Sequence, residues 1–322
     1  MIRNLIVFIT LVLIAILPFV TSVHRENLSS GVRIIRNISY SNNPLDPEQN
    51  LDLYIPRTKS NKMLPVIVWI HGGGWIEGDK LDSPALELAQ KGFASCSINY
   101  RLAPKNIFPA QLHDCKAAIR WLRAHGQEYG IDDRAIGVWG VSAGGHLALM
   151  LATTMGMKDM EGNLGNNQVS SDIQACCDWC GPADLVNFKD QCSPEAIFSK
   201  FSPPDLVDAL LGGPVDERKE LAIQASPITY VTNAQTKCPP ILIMHADNDP
   251  IVPFIQSQDL ANLLTSKKLP VTMIKVNSDK HVFLNADTFK TVTEFFANHL
   301  RPRNNQPDSS SSRANSALLT PL

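Results

Sequence analysis

Residues 64–70 form a near-continuous apolar run, a pattern typical of a central strand that is buried on both faces of a parallel sheet. Further strands rich in apolar residues are predicted over residues 94–100, 135–139, 173–179, 241–245 and 271–276. Two earlier segments, residues 32–40 and 51–55, instead alternate apolar and polar positions. Alternation of this kind predicts exposed, antiparallel strands at one edge of the sheet.

Segments of helical pattern lie between the strands. They cover residues 82–91, 108–124, 253–267 and 288–300, and a further apolar helix begins near Leu147. The segment 108–124 places Leu112, Cys115, Ile119 and Leu122 on one face. Strands that alternate with helices predict an α/β fold with a mostly parallel sheet and helices on both faces.

Residues 181–238 break this alternation and are rich in proline and glycine. We interpret them as an insertion over a functional site, with short helices near residues 204–211 and 217–224. One domain is expected to extend from residue 23 to residue 301. Residues 302–322 are polar and serine-rich, which predicts a disordered tail.

The first 22 residues resemble a signal peptide, because Arg3 precedes an apolar stretch that ends in small residues. This predicts a secreted or periplasmic protein without stable membrane association after cleavage. The alternative is an uncleaved membrane anchor, for which the apolar stretch is short. The net charge of −2 gives no basic excess for nucleic-acid binding.

The seven cysteines include a C-x-x-C pair, Cys177 and Cys180. A redox or zinc function would require a second ligand pair or a thioredoxin-like context, and neither is evident in the sequence. A disulfide between Cys180 and Cys192 remains open.

Candidate chemistry centres on Gly140-Val141-Ser142-Ala143-Gly144, which matches G-x-S-x-G between a strand and a helix. So sharp a turn exposes the serine hydroxyl, and small neighbours let the helix fold back over the strand. The backbone N–H of Ala143 then points to the position of a developing oxyanion. We therefore predict that Ser142 is a nucleophile.

A serine nucleophile needs a base and an acid, which follow it in the order serine, acid, histidine on this architecture. His281 follows the strand 271–276 at its carboxyl end, whereas His299 ends the last helix, so we favour His281 as the base. Asp247 and Asp249 both lie on the loop after the preceding strand. Pro250 fixes the turn beside Asp249 and favours that residue.

The sequence His71-Gly72-Gly73-Gly74-Trp75 directly follows a buried strand. Its glycines allow the backbone to approach a substrate oxygen, so Gly73 and Gly74 are predicted to join Ala143 in an oxyanion hole. Trp75 is predicted to narrow the substrate pocket beside them. The alternative is that its indole packs under the loop as part of the core.

These motifs resemble the α/β-hydrolase fold, in the branch of hormone-sensitive-lipase-like esterases and bifunctional feruloyl and acetyl-xylan esterases. The resemblance extends over residues 32–300 and includes HGGGW, NYRLAP, FPAQLHD, GVWGVSAGGHLA, SPITYV and HADNDPIVP. It implies a catalytic triad of Ser142, Asp249 and His281. Lys280 and Val282 flank His281 where the family usually has glycine.

The resemblance implies a serine esterase that forms an acyl-enzyme on short-acyl or feruloyl and acetyl esters of carbohydrates. It implies no cofactor and no metal, and the expected partner is a small-molecule or carbohydrate ester substrate. A dipeptidyl-type peptidase and an arylformamidase are alternatives that share the triad. A catalytically inactive binding module on the same fold is the alternative outside enzymes.

Overall fold

The computed structural model describes residues 31–41, 43, 45–57, 62–197, 202–232 and 237–300. The predicted signal peptide and the predicted tail both lie outside the described residues. Within these ranges the chain forms an eight-stranded sheet with the order β1-β2-β4-β3-β5-β6-β7-β8. The strands are β1 (Val32–Ser39), β2 (Asn50–Pro56), β3 (Leu64–Ile70), β4 (Ala94–Ile98), β5 (Ile131–Val141), β6 (Ala175–Trp179), β7 (Ile241–Ala246) and β8 (Val271–Val276).

The sheet from β4 through β3 to β8 is parallel, as the apolar runs predict. Successive side chains of β3 point to opposite faces, and each face has its own apolar core. Val66, Val68 and Ile70 belong to the larger core. Ile67 and Trp69 belong to the core on the other face. Burial on both faces is the reason that this strand contains no polar position.

The first two strands are antiparallel, but only β1 lies at the edge. The prediction that residues 51–55 form an exposed edge strand is wrong, because β2 pairs with β4 on its other side. Its polar position, Asp52, is fully buried and accepts a 2.8 Å hydrogen bond from Arg36. Lys80 approaches Asp52 at 3.7 Å. A polar residue that is buried in an ion pair therefore gives the same apolar–polar alternation in the sequence as a polar residue that is exposed to solvent.

Helices cover both faces of the sheet. In chain order they are α1 (Ala85–Gln90), α2 (Ala110–His125), α3 (Ala143–Thr153), α4 (Phe188–Gln191), α5 (Pro194–Ile197), α6 (Pro203–Leu211), α7 (Lys219–Gln224), α8 (Phe254–Ser266) and α9 (Ala286–His299). The larger core takes apolar side chains from α2, α3 and α8. The core on the other face includes Leu88 of α1 and Phe296 of α9. None of the helices in the described ranges has the length and apolarity needed to cross a membrane.

Four short helices, α4 to α7, occupy the segment between β6 and β7 that the sequence marks as an insertion. The Phe108 N–H donates to the Leu210 carbonyl at 2.9 Å, which ties α6 to the start of the α2 region. A Cβ atom on Gly74 would lie 2.6 Å from a Leu206 methyl group, so α6 also contacts the glycine loop. All seven cysteines are free thiols, so the structure does not form the Cys180–Cys192 disulfide.

Candidate active site

Ser142 lies on a strained turn between β5 and α3. Its backbone has φ 56° and ψ −123°, a region that costs free energy for any residue other than glycine. Two hydrogen bonds hold this conformation: the Ser142 N–H donates to the Trp179 carbonyl at 2.8 Å, and the Ser142 carbonyl accepts from the His146 N–H at 2.9 Å. The turn therefore connects the end of β6 to the first turn of α3.

The two glycines of the G-x-S-x-G motif are required by close backbone contacts. A Cβ atom on Gly140 would lie 2.0 Å from the Gly144 carbonyl oxygen. A Cβ atom on Gly144 would lie 2.1 Å from the Ile70 carbonyl oxygen at the end of β3. Since real Cβ atoms do not approach backbone so closely, any side chain here would push the helix away from the sheet.

Asp249 and His281 form a hydrogen-bonded pair. The distance from His281 Nδ1 to Asp249 Oδ2 is 2.7 Å. The other carboxylate oxygen, Oδ1, accepts from the backbone N–H groups of Ile251 at 2.8 Å and Val252 at 3.0 Å. The carboxylate is thus buried, with a defined partner for each of its oxygens.

The charged form of Asp249 is strongly favoured. Burial by itself would raise the pKa of Asp249, but hydrogen bonds from His245 and His281 outweigh burial and hold this pKa well below its usual value. His245 Nε2 lies 3.3 Å from Asp249 Oδ2 and 2.9 Å from the Val252 carbonyl oxygen. Asp249 is therefore a carboxylate that can orient the His281 imidazole and stabilise a positive charge on it.

The ring of His281 is 17% exposed, and it borders the same cavity as Ser142. Its Nε2 atom is buried and has no hydrogen-bond partner among the described residues. A hydrogen bond from the Ser142 hydroxyl to Nε2 is therefore not formed in this structure. Catalytic hydrogen bonds of this kind are often long without substrate and shorten in the complex.

Asp247 and His299, the alternatives to Asp249 and His281, lie outside this hydrogen-bonded pair. Asp247 accepts a 3.1 Å hydrogen bond from the Ser278 N–H, and its other oxygen lies 3.6 Å from Lys275 Nζ. It therefore contacts loop backbone and a lysine rather than the His281 imidazole. His299 is exposed at the end of α9, where its ring contacts Phe295.

The glycine loop lies against the buried His71 ring, which stacks on Tyr100 with a centroid distance of 4.2 Å. Gly73 and Gly74 have φ 103° and φ 57°, which glycine adopts readily. Within the described part of the chain, neither of their N–H groups donates a hydrogen bond. Gly73 borders the cavity beside Ser142, and Gly74 and Ala143 directly follow these two lining residues in the chain.

Trp75 does not border this cavity. Its indole is 3% exposed and packs in the larger core. The indole Nε1–H donates to His146 Nδ1 at 3.2 Å, and the two rings meet edge to face. The placement corrects the interpretation of Trp75 as a pocket residue and favours its alternative, core packing.

The cavity has a volume of about 890 Å³. Three aromatic side chains that the sequence analysis did not select border it: Trp69, Trp179 and Phe289. Glu77, Asp82 and Glu87 add carboxylates to the same wall. Trp69 and Trp179 lie at or next to the carboxyl ends of β3 and β6, where ligands bind in parallel sheets, and this position is the signal that could have identified them.

Comparisons with known proteins show which family the chain resembles. The BD-FAE family model matches residues 51–264. A probable carboxylic ester hydrolase of Mycobacterium tuberculosis, LipM, is 30% identical over 223 residues, which cover 68% of this chain and 49% of that protein. The matched part of the chain spans about half the length of two such curated relatives, LipM and the esterase LipC of the same organism.

Solved structures similar to this chain also include a carbohydrate esterase. A bifunctional GH43-CE protein of Bacteroides eggerthii has a TM-score of 0.75 at 30% identity, with 86% of this chain and 39% of that chain covered. A truncated carbohydrate esterase from gut microbiota has a TM-score of 0.69 at 31% identity, with 83% and 96% covered. The predicted α/β-hydrolase fold is confirmed. Because the family model matches more than half of the chain, this protein belongs to the BD-FAE family.

Proposed function

We propose that this protein is a serine hydrolase that cleaves carboxylic esters through an acyl-enzyme. The observation that carries the proposal is the Asp249–His281 pair: the imidazole has an unpartnered Nε2 atom, and His281 borders the same cavity as a serine on a strained turn. A free hydroxyl is a poor nucleophile near neutral pH, so a serine in this position needs an adjacent base.

In the proposed reaction, His281 Nε2 takes the proton of the Ser142 hydroxyl while the Ser142 oxygen attacks the carbonyl carbon of the ester. The N–H groups of Gly73, Gly74 and Ala143 stabilise the oxyanion of the tetrahedral intermediate. His281 then donates the proton to the leaving alcohol. A water molecule then attacks the acyl-enzyme by the same steps and releases the carboxylic acid. Throughout, Asp249 keeps the second imidazole proton on Nδ1.

The proposed substrates are acetyl or feruloyl esters of carbohydrates. Two observations support this class. The solved structures similar to this chain include carbohydrate esterases. The cavity of about 890 Å³ combines aromatic rings with carboxylates, and both can contact a sugar or a phenolic acyl group. A rate comparison of acetyl, butyryl and feruloyl esters, each with and without a sugar leaving group, tests the assignment.

Labelling by a fluorophosphonate tests the nucleophile and separates an enzyme from an inactive binding module. We expect covalent labelling of the wild-type protein and none of Ser142→Ala, whose turnover should fall by about a million-fold. Ser83→Ala is the matched control, because Ser83 borders the same cavity outside the proposed triad. Labelling that persists in Ser142→Ala, or activity above a few per cent, would exclude Ser142 as the nucleophile.

We also propose that the protein is exported. The support is the sequence of residues 1–22 alone. Expression of the full chain, followed by N-terminal sequencing of the mature protein, tests cleavage after this segment. A mature protein that retains these residues would favour the uncleaved anchor.

A further inference from the structure

Cys180 lies directly behind the acid–base pair. It follows β6 in a left-handed conformation, with φ 47°, and its N–H donates to the Met244 carbonyl of β7 at 3.0 Å. Its thiol donates to the His281 backbone carbonyl at 3.1 Å. The fold thus places a sulfur atom, which the proposed reaction does not use, against the loop that bears the base.

Three metal-ligating side chains converge at this point. One ligand atom from each of Cys180, Asp249 and His281 lies within 4.8 Å of the other two. In a tetrahedral zinc site the ligand atoms are roughly 3.3–3.8 Å apart, given bond lengths of about 2.0–2.3 Å. Movements of about 1 Å would therefore close the three side chains around an ion. Within the described ranges, no other group of three histidine, cysteine or acidic side chains meets this spacing.

The donor set favours a particular class of cation. A thiolate, an imidazole and a carboxylate are ligands of Zn²⁺ and of the softer Cd²⁺, whereas Mg²⁺ and Ca²⁺ prefer oxygen ligands in larger shells. With both acidic groups deprotonated, the set carries two negative charges. A divalent ion neutralises them, which removes the cost of a net charge in this buried position.

We propose that Zn²⁺ or Cd²⁺ binds reversibly to Cys180, Asp249 and His281 and inhibits the protein by occupying its acid–base pair; the inhibition rests on the proposed function. Binding releases the thiol proton, and the imidazole proton moves from Nδ1 to Nε2, so one proton is released and the base nitrogen is blocked. The imidazole then keeps neither the orientation nor the charge that the reaction needs. The main cavity, which His281 borders, provides the entry path and leaves a fourth coordination position to water.

Direct binding tests the site without reference to activity. Cd²⁺ is titrated into the full-length protein while the ultraviolet charge-transfer band of a cadmium thiolate is recorded. We expect a band that saturates at one equivalent in the wild type and in Cys238→Ser, which removes a half-buried cysteine outside the cluster. Cys180→Ser should lose this band.

A second variant tests the other ligands and covers the case in which Cys180→Ser does not fold. His281→Ala retains the thiol but loses one ligand, so its dissociation constant for Cd²⁺ should rise at least tenfold. An unchanged band in Cys180→Ser, unchanged affinity in His281→Ala, or no band in the wild type would each overturn the proposal.

Inhibition is measured separately on an ester that the wild type cleaves. The Zn²⁺ concentration for half-inhibition should be at least tenfold higher in Cys180→Ser than in the wild type, each relative to its own uninhibited rate. Mg²⁺ should not inhibit, and a chelator should restore activity. Equal sensitivity of the two proteins to Zn²⁺ would refute the inhibitory site. A cadmium band in a protein without esterase activity would instead refute the proposed function and leave the metal site standing.

Discussion

Replacement of Asp249 by asparagine tests the proposed triad, because the structure fixes how the new amide must lie. Asp249 Oδ1 accepts two backbone hydrogen bonds, from Ile251 and Val252, and Oδ2 accepts one from His281 Nδ1. Asparagine has one oxygen and one NH₂ group. It can therefore satisfy either the two backbone donors or the imidazole donor, but not both.

The backbone donors decide the orientation. If the NH₂ group faced Ile251 and Val252, two buried hydrogen bonds would be lost, at about 1–3 kcal/mol each. A total of at least about 2 kcal/mol disfavours this orientation by about 30-fold or more. His245 does not reverse the preference, since its Nε2 has the Val252 carbonyl as an acceptor at 2.9 Å. The amide NH₂ group is therefore expected to face His281.

An NH₂ group at this position donates to His281 Nδ1 and moves the ring proton to Nε2. A protonated Nε2 cannot take the proton of the Ser142 hydroxyl. We expect Asp249→Asn to lower kcat by about a thousand- to ten-thousand-fold, as for other triads with the wrong tautomer. The assay is the hydrolysis of a chromogenic acetyl ester, with the melting temperature measured in parallel to check the fold.

Asp247→Asn is the matched control on the same loop. Asp247 contacts the Ser278 backbone and Lys275 rather than the imidazole, so its kcat should change by less than about tenfold. Equal losses in Asp247→Asn and Asp249→Asn, or a loss below tenfold in Asp249→Asn, would refute the tautomer argument.

Three further predictions concern the structure around the site. Trp75→Ala should lower the free energy of unfolding by about 3–5 kcal/mol and leave the acetyl-to-hexanoyl rate ratio unchanged, because the indole is buried in the core; a changed ratio would restore its role in the pocket. Gly144→Ala should lower the melting temperature far more than Gly130→Ala, since the new methyl group would meet the Ile70 carbonyl oxygen at 2.1 Å, whereas a Cβ atom on Gly130 would meet nothing within 4 Å; equal losses would contradict this. Burial lowers the pKa of His146 to about 4, so the unfolded chain takes up a proton between pH 7 and 5 that the folded protein does not. The free energy of unfolding from urea titration should fall by about 2 kcal/mol over this range on account of His146, and a His146→Gln variant with the same pH dependence would disprove that assignment.

The sequence predicts the parallel sheet and the order of the site residues because both depend on local patterns. A strand that is apolar at every position is stable when it is buried on both faces. The small residues of G-x-S-x-G allow the sharp turn that brings a helix back against its strand. Partners that lie far apart in the sequence leave no such local sign. Asp52 has the pattern of an exposed position, and its ion pairs with Arg36 and Lys80 exist only after three segments have come together.

Trp75 illustrates a second limit. Its position after the glycines is visible in the sequence, but the direction of its side chain depends on a backbone with φ 62°. That conformation directs the indole to His146 on α3, away from the cavity. Neither the left-handed backbone nor the histidine partner follows from the motif, whose glycines allow several conformations of the loop.

The loop that bears His281 is held without the glycines that usually flank the base histidine in the family. Lys280 and Val282 occupy positions where glycine is usual, yet neither has a positive φ in the described structure, so neither position requires glycine. Contacts from other segments hold the loop instead. The Asn248 N–H donates to the Ser278 carbonyl at 3.2 Å, and the Cys180 thiol donates to the His281 carbonyl at 3.1 Å. Since Trp179, next to Cys180, accepts the N–H of Ser142, the end of β6 connects the proposed nucleophile to the proposed base. The relative position of these two residues therefore depends on β6 and not on glycines beside His281.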